Sequence, residues 1–230
     1  MKKIIAAAVL AIGFASSGFF IGHAIAKLKS FDRYVSVKGL AVREVKANQA
    51  IWKVRFTGSN NDLKALYKQM SGSEAKIKSF LIQQGFTASD IAIQPLSITD
   101  NQSNAYSSNA KMQRYTANGG ITVSTANVDA VKQALQKTGV LVQQGVILSN
   151  NSVRYLFTKL NTIKPEMLNQ ATKNARLAAM SFARQSHGHI GAIRHASQGL
   201  FTIRDANSTY NNGTSITKQV RVVVNAQYFI

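Results

Sequence analysis

The chain has 230 residues, with 28 Lys and Arg against nine Asp and Glu, and no cysteine. Without cysteine there are no disulfides, thiolate metal sites or cysteine nucleophiles, and an apolar fraction of 45% excludes a disordered chain and suffices for a packed domain. The formal charge of +19 favours anionic partners.

The chain opens with a targeting pattern. Lys2 and Lys3 are followed by an uncharged stretch from Ile4 to Ile21, then by the small-x-small triplet Ala24-Ile25-Ala26. This order predicts a signal peptide or an N-terminal membrane anchor over residues 1–26, with residues 27–230 as one exported domain in the periplasm. The uncharged stretch is longer than the roughly 7–15 residues of a usual signal core and approaches the ~20 that span a bilayer. Gly13, Ser16, Ser17, Gly18 and Gly22 weaken it as a permanent span. The sequence leaves both forms open; if uncleaved, residues 4–25 contact the membrane.

Period-two alternation then predicts strands at residues 34–40 and 44–57, the second placing Ala50, Trp52, Val54 and Phe56 on one face. A helix is expected from Asp62 to Gln84, capped by Asn60 or Asn61, with Ser71-Gly72-Ser73 as a bend. Further strands are expected at 91–98 and 112–125, joined by a polar loop, with Gly119-Gly120 marking a bulge. Asn127 caps a short helix that Gly139 ends. Residues 141–148 read as a strand, Ser149-Asn150-Asn151 as a turn, and 153–160 as another strand. In the last helix Pro165 and Glu166 fit the first turn, and Leu168, Ala171, Ala175, Ala178, Ala179 and Phe182 form the apolar stripe. Residues 190–203 hold one or two strands, 205–217 a polar loop, and 219–230 a closing strand with Val220, Val222, Val224 and Ala226 on one face. The fold class is α+β: an antiparallel sheet with helices on one face, a ferredoxin-like β-α-β-β-α-β portion and a β-α-β-β extension.

The chemistry of catalysis is sparse. The acids stand mostly at helix caps, helix first turns and loop edges, and no phosphate loop or nucleophile elbow occurs. No enzyme activity and no cofactor is expected. His187, His189 and His195 are the candidate metal ligands, set against a plain role at a helix end and the next strand. Lys27, Lys29, Arg33 and Lys38 form the densest basic patch, a candidate contact for an anionic lipid or polysaccharide of the envelope. Bases are not interleaved with aromatics, so nucleic acid is not an expected partner.

Four segments carry a family likeness: Val35 to Ala41 with Glu44; Arg114 to Ala117 with Ile121 to Val123; Thr158 to Asn161 through Ala171 to Arg176; and Ala196 to Gly199 with Val220 to Val222. On these the chain resembles SIMPL-domain proteins, of the periplasmic immunogenic and oxidative stress defence type, whose biochemical function is unknown. The resemblance implies a compact α+β domain, export, self-assembly into homo-oligomers and a link to stress responses, with no catalytic residues to carry over. The apolar closing strand, ending Tyr228-Phe229-Ile230, is the expected contact between copies.

Overall fold

The computed structural model describes residues 13, 16–22, 33–103, 113–206 and 213–230. Most of the expected targeting segment, with Lys27 and Lys29, lies outside them, as do the middles of both polar loops. Residues 16–22 are helical, and among the described residues no helix is long and apolar enough to cross a membrane. Eight strands and four helices follow: β1 (Tyr34–Lys46), β2 (Gln49–Asn60), α1 (Leu63–Gln83), β3 (Ile91–Asp100), β4 (Tyr115–Thr125), α2 (Val128–Gln136), α3 (Gly139–Gln143), β5 (Ile147–Leu156), α4 (Leu160–Gln185), β6 (Ile193–Gln198), β7 (Thr202–Asp205) and β8 (Thr217–Phe229). The fold is α+β with antiparallel sheets, as the sequence predicts, and the strands divide between two four-stranded sheets. By contacts the chain forms two units, one of Met1–Arg43, Ile163–Thr202 and Arg221–Ile230, the other of Glu44–Thr162 and Ile203–Val220.

In the second unit the strand order is β3-β4-β2-β5. Trp52, Val54 and Phe56 alternate inward from β2 and pack with Leu66, Met70, Ile77 and Leu81 of α1, Val131 of α2 and Leu141 of α3. Asp62, rather than either asparagine before it, caps α1 by accepting from the Ala65 N–H at 2.7 Å. The helix runs unbroken through Gly72, which stands in open space. Gly119 does not bulge; it lies opposite Phe56, and a Cβ there would fall 2.4 Å from the Phe56 ring. The irregularity is instead on β3, between Gln94 and Ser97, where Pro95 cannot donate to the ladder.

Three expected boundaries shift for local reasons. β1 runs on to Lys46 and turns at Ala47-Asn48, because the Ala47 and Asn48 N–H groups donate to Ile216 and Leu156 and the Asn48 amide brackets Thr158. Gly139 begins the short helix α3 instead of ending α2, so the expected strand at 141–148 starts in helix and becomes strand only from Ile147. Asn150 and Asn151 lie inside β5, not in a turn, since Asn151 Oδ1 accepts the buried Trp52 Nε1–H at 2.5 Å.

The first unit is built on close backbone approach. Its sheet has the order β1-β8-β6, so β8, the expected contact strand, is central and offers a face but no edge. α4 starts at Leu160, which places Pro165 and Glu166 past the first turn. Its buried row is Ile163, Met167, Ala171, Ala175, Ala179 and Ala183, while Phe182 is 61% exposed. Residues four apart form one ridge of a helix, and a ridge of alanines lets the backbone reach the sheet. β1 meets it with Gly39, where a Cβ would lie 1.9 Å from the Ala171 carbonyl oxygen. Asn174 Nδ2 then donates to the Leu40 carbonyl at 2.7 Å.

Gly39→Ala should therefore destabilise the protein by about 3 kcal/mol, at the upper end for overpacking a tight contact. Gly72→Ala, in open space within α1, should stabilise it by about 1 kcal/mol. Urea unfolding of the two variants checks both signs.

Candidate functional site

The three histidines do not converge. His187 stands just past α4 with φ of 55°. Its N–H donates to Arg184 O, and the Gly188 N–H donates to Ala183 O at 2.8 Å, which is the hydrogen-bond pattern of a left-handed helix cap. His189 is exposed ahead of β6, and His195 lies on β6 opposite Gln227. Among the described residues no three of His, Asp and Glu gather as a metal site would require.

Of the basic patch, Arg33 and Lys38 are described and both are exposed. Val37 of β1 and Ala226 and Tyr228 of β8 pack with Ala175 and Ala179 of α4. By alternation Lys38, Leu40 and Val42 of β1, and Arg221, Val223 and Phe229 of β8, occupy the opposite face of this sheet. Leu40 and Val42 are 42% and 47% exposed. Arg194 stacks on the Tyr34 ring on that face, 4.2 Å from its centroid. β6 ends the sheet, and all six of its residues are exposed.

The second unit holds a buried ion pair. Lys218 Nζ donates to Asp205 Oδ1, and the two side chains are 4% and 0% exposed. Burial alone would raise the Asp205 carboxyl. The hydrogen bond and charge of Lys218, aided by the Ser215 and Gly213 amides, outweigh it and hold the group below its ordinary value of 3.8. Oδ2 has no hydrogen bond of good geometry among the described residues. A cavity of about 280 Å³ lies beside the pair, lined by Arg154, Phe157, Thr158, Ile203, Gly213 and Lys218. An ionised aspartate already paired with lysine ties β7 to β8 and offers no free base. Sequence reasoning placed Asp205 at a loop edge. The overlooked signal is phase: Lys218 shares the alternation of Val220, Val222 and Val224, the buried face of β8.

A family model described as SIMPL, a protein of unknown function (DUF541), matches residues 35–228. The chain belongs to the SIMPL family. No curated protein matches it. The SIMPL match takes in residues of both units, and the segments that carried the likeness include several long-range contacts. Gly39 meets Ala171 and Ala175, Thr158 exchanges hydrogen bonds with Asn48, and Arg114 pairs with Asp100 at 3.2 Å. These SIMPL residues make packing, hydrogen-bond and ion-pair contacts between elements distant in the chain.

Because the folded-state carboxyl of Asp205 lies below its unfolded value, its contribution to stability is complete above about pH 4 and is lost as pH falls through the lower folded value. Asp205→Asn should thus be less stable than the parent at pH 7, by roughly 3 kcal/mol for an orphaned buried lysine. The gap should narrow below pH 4, which urea midpoints measured from pH 7 to pH 2.5 will read.

Proposed function

We propose that this SIMPL protein is an exported, non-catalytic envelope protein that works by assembling with further copies of itself in support of stress tolerance. Export follows from the order Lys2-Lys3, uncharged stretch, Ala24-Ile25-Ala26. The non-catalytic reading is supported by the acids. Glu166, Asp129, Asp100 and Asp205 pair with Arg43, Lys46, Arg114 and Lys218, while Asp62 and Asp90 cap turns of helix. Stress tolerance rests on the family resemblance alone.

Assembly is carried by one observation: β6 closes its sheet with every residue exposed and no neighbour on its outer side among the described residues. Such an edge is a template for pairing. The Gly199 N–H donates inward to Val223 O, so the Ala196 N–H, of opposite phase, points outward. Light scattering of the full-length protein at micromolar concentration should give a mass above one chain. Ala196→Pro, which removes that outward donor and leaves the β8 ladder intact, should lower it. A clean monomer with β6 intact overturns the reading.

A second reading, binding of an anionic envelope lipid or polysaccharide, is favoured by Lys38 and Arg221 sharing the open face. Vesicles with a third of their phospholipid anionic should then sediment the protein at low salt and release it as salt screens the charges. The paired charge reversals Lys38→Glu and Arg221→Glu should abolish sedimentation.

A further inference from the structure

In the second unit β5 is an edge strand, and a cleft of about 630 Å³ opens beside it. Val153 and Tyr155 of β5 line the cleft with Lys132 and Leu135 of α2, and the segment Thr214–Thr217 forms the far wall. The Tyr155 N–H is turned away from β2 and is taken by Gly213 O at 2.8 Å. Residues of the same phase on a strand point their amides the same way. Val153 and Asn151 therefore present N–H and C=O groups outward, and neither backbone makes a hydrogen bond to the described residues beyond that edge.

We propose that this cleft binds an extended acidic peptide segment by strand addition to β5. The chain's own Gly213 begins such a pairing, and the register continues through Val153 and Asn151. An added strand directs every second side chain to the face on which the cleft lies, against Val153, Tyr155 and Leu135. Lys132 is the charged residue lining the cleft and has no ion-pair partner among the described residues. Asp129, one turn away on α2, is taken up by Lys46 at 2.5 Å. Charge in the cleft is thus positive, as it is over the whole chain, and selects an acidic partner.

The test uses the full-length protein and a fluorescein-labelled peptide of alternating Thr and Val ending in two Glu. Binding should slow amide hydrogen exchange at Val153 and Asn151. A peptide N-methylated on alternate residues should not bind, and Lys132→Glu should weaken the parent peptide by roughly fivefold, as for an exposed charge pair. The proposal fails if millimolar peptide leaves exchange at Val153 and Asn151 unchanged, or if the N-methylated peptide binds equally. It also fails if protection there grows with protein concentration alone, which would assign the edge to a second copy.

Discussion

The first unit depends on one absent atom. Gly39 has no Cβ, and the Ala171 carbonyl occupies the place where one would stand. Packed helices ordinarily keep their axes about 8–10 Å apart, the distance set by the side chains at the contact. Here alanines at every fourth position bring α4 down onto β1, and the glycine completes the approach. Once the backbones are this close, Asn174 can reach the Leu40 carbonyl, and Tyr228 can close the core beside Ala175 and Ala179. Large side chains do little of this work; dispersion between many small, close contacts replaces them.

The second unit reaches stability by the opposite route. Trp52, Phe56, Met70 and Leu141 fill its core, and the indole and the lysine that enter it each find a partner. The Trp52 indole N–H finds Asn151, and Lys218 finds Asp205. A buried ion pair adds little net stability but is costly to break. Its effect is to set the register of β7 on β8, since a slip of one residue would turn one charge to the opposite face and leave the other buried without its partner.

Among the described residues, the two units share a partly open edge. β6 and β5 each end a sheet with outward amides, the Tyr155 amide of β5 being taken by Gly213, and around each lies basic charge: Arg194 on β6 itself, Lys132 beside β5. Excess positive charge lowers the tendency of like copies to stack without order, yet leaves defined hydrogen-bonding rows available to a partner of the right chain geometry. Six of the described acids are engaged in caps and ion pairs, which leaves strand edges and basic side chains as the open polar features of both sheets.

Alternation and capping made much of this fold legible. Trp52, Val54 and Phe56, the Asn127 cap and the two faces of β8 follow from local spacing, because a strand's side chains must alternate and a helix must satisfy its first amides. The family likeness was legible too, in the Gly39 and Ala171–Arg176 segments. Other features depended on partners distant in the chain. Asn150 and Asn151 have turn chemistry but became strand because Trp52 needed an acceptor 99 residues away. Phe182 was read as core, yet faces solvent because the sheet selects the ridge of residues four apart along α4. The histidines, close in sequence, are held apart by the helix cap at His187 and the strand at His195. Asp205 and Lys218, separated by a polar loop, meet in the core. Sequence distance predicts neither outcome, since burial is decided by which faces pack together, and that is a property of the tertiary structure alone.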